Sequence, residues 1–124
     1  MKPKQSFSLR DRIKSFDYSI QGIITFFKHE HNAWIHAVAA ILVIVLGWYC
    51  KLTLMEWCWI TLAIGLVLLA EMFNTAIEYL TDLASPEIHP LAKKTKDVAS
   101  GAVLMASLVA VVIGLLIFIP KFML

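Results

Sequence analysis

The stretch that decides the fold is residues 54–82, LMEWCWITLAIGLVLLAEMFNTAIEYLTD. Its first part, 54–70, is apolar enough to cross a membrane as a helix, whereas its last part, 71–82, carries three carboxylates and an amide. With about 100° of rotation per residue, four other polar residues of the last part lie within about 60° of Glu71 around the helix, so all five share one stripe. We call this row the acidic stripe; it comprises Glu71, Asn74, Thr75, Glu78 and Asp82.

The acidic stripe is unfavourable in a membrane unless its charge is compensated. A carboxylate inside a bilayer costs roughly 2.5–3.5 kcal/mol even on the lenient insertion scale. Like charges on one stripe also repel each other when nothing positive lies between them. A divalent cation would remove both problems, so the stripe predicts a functional site. The alternative is that these side chains form ordinary interhelical hydrogen bonds or solvated charges at a helix end.

The composition predicts an all-α membrane protein with a single domain, residues 1–124. The chain is 60% hydrophobic and has a mean hydropathy of +0.76, well outside the range of soluble domains. Three apolar segments each approach the roughly 20 residues that a helix needs to cross hydrocarbon. We expect transmembrane helices at about 33–50, 52–82 and 90–119. Three thin helices cannot enclose a pocket alone, so we also expect oligomerisation, with Ala102, Ala106, Ala110 and Gly114 as a candidate seam.

An amphipathic helix is predicted ahead of the first transmembrane segment, at about residues 8–30. Ser8 and Asp11 have the spacing of a helix cap, and apolar residues then recur every three or four positions through Phe27. The intervening positions include Arg12, Lys14 and other polar residues. Such a helix lies along a membrane surface rather than across it.

The basic residues predict the orientation of the chain in the membrane. Nine of the eleven lysines and arginines precede the first apolar segment or lie between the second and third. Because basic residues accumulate on the cytoplasmic side, the N-terminus and the acidic stripe are predicted to face the cytoplasm. The formal net charge of +2 and the absence of a base-reading motif indicate contact with anionic lipid and not with nucleic acid.

A basic face is predicted beside the acidic stripe, at the start of the last helix. Pro90 suits the first position of that helix, and Lys93, Lys96 and Asp97 then share its first turns. Lysine ammonium groups and free helix N–H groups favour phosphate. Glu71 is predicted at the edge of the hydrocarbon and Glu78 about 10 Å farther into water. A base at a lipid hydroxyl and a metal clamp on the aqueous side are what phosphate transfer from a nucleotide to a membrane alcohol requires.

Other candidate motifs predict no further site. The four histidines have no recognised ligand spacing, and the two cysteines have no metal-binding spacing and are interpreted as small hydrophobic residues. The glycines are too scattered for a Walker A loop or a GxGxxG motif, so any nucleotide chemistry must use another architecture.

Two segments carry a resemblance to a known family. Residues 71–82, EMFNTAIEYLTD, and residues 89–103, HPLAKKTKDVASGAV, resemble the two signature blocks of the small bacterial integral-membrane lipid kinases. That family comprises prokaryotic diacylglycerol kinase and undecaprenol kinase. The resemblance covers nearly the whole chain, from Tyr18 to Lys121, with Phe73 and Thr81 as mild departures.

The resemblance implies a surface helix and three transmembrane helices that assemble as a homotrimer with sites shared between subunits. It implies that Glu71 is the general base on the lipid hydroxyl and that Glu30 and Glu78 bind the magnesium ion that bridges the phosphates of ATP. The residues that it implies for nucleotide binding are Asn74, Lys96, Asp97, Arg12 and Tyr18. Arg10 fits the place of the nucleotide-contacting arginine as well as Arg12 does, and the role of Asp82 stays open.

The lipid substrate is predicted from two linkers. Residues 85–93, SPEIHPLAK, and residues 117–121, IFIPK, look more like the undecaprenol-kinase branch than the diacylglycerol-kinase branch. The resemblance therefore implies undecaprenol as the substrate, with diacylglycerol as the alternative. A non-enzymatic alternative is a small proton-coupled exporter that uses Glu71. Such exporters usually carry a lone acid deep within a span, whereas the acids here cluster at one end of a predicted helix.

Overall fold

The computed structural model describes residues 6–123, and within that range the chain is all α-helical. The helices are α1, Leu9–His29; α2, His31–Tyr49; α3, Leu54–Ala84; and α4, Pro90–Met123. By length and composition, α2, α3 and α4 are apolar enough to cross a membrane. The predicted class, an all-α multi-pass membrane protein with a preceding amphipathic helix, is confirmed.

The helix ends lie within four residues of the predicted boundaries, and two of the differences have a clear physical cause. α3 begins at Leu54 and not at residue 52, because Thr53 caps it: the Thr53 hydroxyl accepts from the Glu56 amide at 3.2 Å, and Glu56 Oε1 accepts from the Thr53 amide at 2.9 Å. α4 was predicted to end at residue 119, before Pro120, but it continues to Met123. A proline so close to the helix end removes only one backbone donor, and the helix tolerates this loss.

The turn between α2 and α3 is a Schellman motif. The Leu52 amide donates to the Gly47 carbonyl at 3.2 Å, and the Lys51 amide donates to the Trp48 carbonyl at 3.2 Å. Lys51 has φ of 54°, the left-handed conformation that glycine usually supplies at this position. Gly47 is needed for a different reason, since an added Cβ would lie 2.7 Å from the Trp57 ring. The turn therefore brings α2 and α3 into close antiparallel contact.

α3 and α4 form the most extensive helix pair, and an ion pair closes it at each end. Lys121 Nζ lies 3.0 Å from Glu56 Oε1 at the end near the α2–α3 turn. Lys96 Nζ lies 2.6 Å from Asp82 Oδ1 at the opposite end. The two helices are therefore antiparallel and in register, and the acidic stripe of α3 lies beside the basic start of α4.

The junction between α1 and α2 is a single extended residue, Glu30. Trp34 Nε1 donates to the Phe27 carbonyl at 2.6 Å, and the two rings meet edge to face. Phe26 is the one buried side chain of α1 in the described part of the chain. The first helix is thus attached to α2 through its last turn, and its apolar side chains before Phe26 stay exposed.

The chain has a small core and a large exposed apolar surface. Leu52, Ile60 and Ile117 form the buried cluster at the end near the α2–α3 turn. The row of small residues on α4 does not form one outward seam: Ala106 is buried within the chain, whereas Ala102 is exposed. Leucine, isoleucine and valine side chains cover most of the outer surface of the long helices, as in proteins that face lipid or other subunits.

Candidate active site

Glu71 is the most deeply buried carboxylate in the described part of the chain, and it contacts a histidine. Glu71 is 4% exposed, and its Oε1 lies 2.8 Å from Nε2 of His36 on α2. Burial of an unpaired carboxylate is strongly unfavourable, so this hydrogen bond is what makes the position tolerable. Glu71 and its partner join α2 to α3 at the level where the apolar part of α3 ends.

Asn74 and Glu78 lie next along the acidic stripe and form a second group. Asn74 Nδ2 donates to Glu78 Oε1 at 3.4 Å. The other amide atom, Asn74 Oδ1, is buried and has no hydrogen-bond partner among the described residues. A buried oxygen without a partner, beside a carboxylate, is what a hard cation such as magnesium would satisfy, because magnesium binds oxygen ligands.

Lys96 and Asp97 lie at the start of α4, as predicted, but both are engaged in ion pairs. Lys96 contacts Asp82, and Asp97 Oδ2 lies 2.6 Å from Lys93 Nζ. These side chains line a cavity of about 310 Å³ together with residues of the loop between α3 and α4. Because all four are largely or partly exposed, the pairs can exchange for other ionic partners at little cost.

The remaining predicted site residues lie on α1 and at its end. Glu30 is half-buried at the α1–α2 junction, Tyr18 is exposed, and the Arg12 guanidinium lies 5.5 Å above the Phe7 ring. Within residues 6–123, none of these three makes a hydrogen bond or ion pair with the acidic stripe. The same range contains no cluster of three or more acidic, histidine or cysteine side chains that could hold a metal. Of the two predicted magnesium ligands, Glu78 contacts Asn74, whereas Glu30 makes no hydrogen bond or ion pair with the acidic stripe within residues 6–123.

An apolar cleft of about 500 Å³ runs between α2, α3 and α4 and ends at His36. Its walls include small residues, which leave room between the helices: Ala39, Ala40, Ala63, Ala110 and Gly114. Ser107, larger aliphatic side chains and Phe118 line the rest. Because His36 also contacts Glu71, the one buried carboxylate stands at the polar end of a space that suits a hydrocarbon chain.

His36 is the site residue that the sequence did not identify. It was one of four histidines without a ligand spacing, and 35 residues separate it from Glu71. Nothing in a single sequence links positions so far apart, since their contact depends on how α2 packs on α3. The structure therefore adds one side chain, His36, to the site. The site then consists of the Glu71 carboxylate with its histidine partner, the Asn74–Glu78 pair, and Lys96 at the start of α4.

Comparison with known proteins identifies the family. The family model for prokaryotic diacylglycerol kinase matches residues 17–118. The chain is 44% identical over 108 residues to undecaprenol kinase of Bacillus subtilis (strain 168), which covers 87% of this chain and 88% of that protein. It is 35% identical to a diacylglycerol kinase of Synechocystis, over 86% of this chain and 61% of that protein. It is 31% identical to diacylglycerol kinase of Escherichia coli (strain K12), over 81% of this chain and 82% of that protein. With a family model that spans most of its length and relatives of this similarity, the chain belongs to the prokaryotic diacylglycerol kinase family.

Proposed function

We propose that this protein is a membrane lipid kinase that transfers the γ-phosphoryl group of ATP to the hydroxyl of undecaprenol. In this reaction the alcohol oxygen forms a bond to the γ-phosphorus, the bond from that phosphorus to the β,γ-bridging oxygen breaks, and ADP leaves. The hydroxyl proton passes to the Glu71 carboxylate. The products are undecaprenyl phosphate and ADP.

The observation that carries the proposal is the place of Glu71 between two different environments. On one side is the apolar cleft that ends at His36, and on the other are the polar groups of Asn74 and Glu78. An isoprenoid chain in the cleft would bring its terminal hydroxyl to this boundary. A general base must lie within hydrogen-bond reach of the proton that it removes, and Glu71 is the carboxylate at that boundary.

The polar side of the site supports binding of ATP with magnesium. Asn74 Oδ1 and the Glu78 carboxylate would hold the ion, with Glu30 as a further ligand that the resemblance implies. When bound, magnesium supplies positive charge that offsets the charge of the transferring phosphoryl group. Lys96 would exchange its contact with Asp82 for a phosphate oxygen, and Asp97, Arg12 and Tyr18 are proposed to contact the nucleotide.

We propose undecaprenol and not diacylglycerol as the substrate because of the similarity to undecaprenol kinase of Bacillus subtilis. The identity of 44% to undecaprenol kinase exceeds the identities of 35% and 31% to the two diacylglycerol kinases. Phosphorylation of diacylglycerol to phosphatidic acid is the second candidate, favoured by the names of those other relatives. Membership of a kinase family argues against the exporter alternative.

We also propose that the protein is a homotrimer in the bacterial cell membrane, with its N-terminus and active site in the cytoplasm. The asymmetric distribution of basic residues supports the orientation. The extensive exposed apolar surface supports association. The lack of a hydrogen bond or ion pair from Glu30, Arg12 or Tyr18 to the acidic stripe, within residues 6–123, supports it as well. Native mass spectrometry of the purified protein in detergent tests the assembly, and a monomer with full activity would contradict it.

A side-by-side assay tests the reaction and its substrate. The purified protein is presented with γ-labelled ATP, magnesium and mixed micelles that contain undecaprenol or diacylglycerol at equal mole fraction. We expect label in the lipid fraction, with a higher kcat/KM for undecaprenol. A higher kcat/KM for diacylglycerol would replace the proposed substrate with the second candidate, and no labelled lipid of either kind would overturn the proposed reaction.

A further inference from the structure

We infer that His36 is a positioning residue for Glu71: its Nε2–H donates to Glu71 Oε1 and leaves Oε2 free to accept the proton of the lipid hydroxyl. This inference rests on the proposed function, in which Glu71 is the general base. The distance of 2.8 Å between the two atoms is that of a strong hydrogen bond. Since an ionised carboxylate has only acceptor sites, the hydrogen of this bond belongs to the imidazole whenever Glu71 is ready to act as a base.

The surroundings of Glu71 make this contact the decisive one. The residue is 4% exposed, so water supplies little of the hydrogen bonding that an ionised carboxylate needs. Among the described residues, His36 is the one side chain that forms a hydrogen bond with it. Without a donor from α2, the carboxylate would lose both its charge stabilisation and the orientation of its plane.

The position of His36 links this role to the lipid. Its side chain forms the polar end of the apolar cleft, so it lies between the space proposed for the hydrocarbon chain and the carboxylate proposed as the base. A hydroxyl at the end of that space would approach the oxygen of Glu71 that His36 does not occupy. The imidazole thereby selects which carboxylate oxygen meets the substrate, as outer hydrogen bonds orient ligands and bases in other enzymes.

His36 itself transfers no proton in this reaction. The hydroxyl proton moves to Glu71 Oε2 as the oxygen–phosphorus bond forms, and Glu71 later returns this proton to water. The Nε2–H of His36 stays on the imidazole throughout. Its contribution is to hold the base in one orientation, so its loss should lower kcat and leave ATP binding intact.

Two amide variants test this role with matched chemistry. In H36Q the amide NH₂ can reach the place of Nε2, whereas in H36N the shorter side chain cannot. Both variants are polar and smaller than histidine, so they disturb the cleft to a similar extent. We expect H36N to lower kcat roughly 10- to 100-fold with little change in the KM for ATP, and H36Q to restore most of the loss.

A double variant separates an effect through Glu71 from a general structural effect. If His36 acts through Glu71, the H36N/E71Q protein should be no slower than E71Q alone, because residues that act as a unit are not additive. Elution volume and melting temperature in detergent identify any variant that fails to fold. If H36N fails to fold, H36Q is compared with the unaltered protein in its place.

The outcomes distinguish this inference from the proposed function. Unchanged kcat in H36N, or equal loss in H36N and H36Q, overturns the positioning role while leaving the kinase activity intact. Further loss in the double variant relative to E71Q also overturns it. Absence of lipid phosphorylation by the unaltered protein overturns the proposed function itself, and the inference with it.

Discussion

Lys96 on α4 and Asp82 on α3 form an ion pair with 2.6 Å between Nζ and Oδ1, which joins the two helices where the acidic stripe ends. The side chains are 40% and 63% exposed, so solvent screens the pair and its contribution to stability is small. The ammonium group therefore lies beside the site without being fixed there.

We expect Lys96→Gln to raise the KM for ATP about tenfold and to leave the melting temperature almost unchanged, because one charge-assisted contact to phosphate is lost. Initial rates at varied ATP and saturating lipid measure this effect. Lys94→Gln is the matched control, since Lys94 is an exposed neighbour on the same helix. A KM for ATP that rises equally in both variants would indicate a general electrostatic effect and not a contact of Lys96.

The Asn74–Glu78 pair leads to a prediction about magnesium. Glu78→Gln removes the negative charge but keeps the shape of the side chain, so we expect the magnesium concentration for half-maximal activity to rise about 10- to 100-fold. Activity titrations with magnesium at constant ATP give this value. Glu56→Gln makes the same change at the opposite end of α3, and its titration should match that of the unaltered protein. An unshifted titration for Glu78→Gln would exclude this carboxylate as a ligand.

The apolar cleft leads to a prediction about the lipid. Gly114 lines the cleft, and an added Cβ would meet no atom within 4 Å, so Gly114→Leu should fill the space without disturbing the helix packing. We expect the KM for the lipid to rise about tenfold with little change in the KM for ATP. Gly65→Leu is the control, because Gly65 is equally open but does not line the cleft. Equal effects of the two substitutions would argue against the cleft as the lipid site.

The α2–α3 turn leads to a prediction about stability. Lys51 adopts φ of 54°, which is unfavourable for residues with a Cβ. We expect Lys51→Gly to stabilise the protein by about 1 kcal/mol, and Lys51→Val to destabilise it by a similar amount, because branching at Cβ disfavours this conformation further. Thermal denaturation in detergent micelles measures both changes. A lower melting temperature for Lys51→Gly would contradict this account of the turn.

Most of the fold could be predicted from local sequence signals. The apolar runs are long enough to identify α2, α3 and α4. Two of the differences in helix boundaries have physical causes. Thr53 and Glu56 form a cap that starts α3 two residues after the predicted start, and α4 accommodates Pro120 within its last turn.

The site was only partly predictable, because helical periodicity predicts which residues share a face of one helix but not which residues of two helices meet. The spacing of Glu71, Asn74 and Glu78 on a single helix predicted their common face. The basic start of α4 also predicted a lysine beside the stripe, and Lys96 contacts Asp82. The His36–Glu71 contact depends on how two helices pack, and the sequence pattern of either helix alone does not predict it.

Glu71→Gln tests the central claim most directly. The substitution keeps the size of the side chain and removes the base, so transfer of labelled phosphate from ATP to undecaprenol should fall by about 10²- to 10⁴-fold while ATP binding persists. Glu56→Gln, the same change at the far end of the helix, should leave turnover intact. Phosphorylation of undecaprenol by the Glu71→Gln protein at the rate of the unaltered protein would contradict the account.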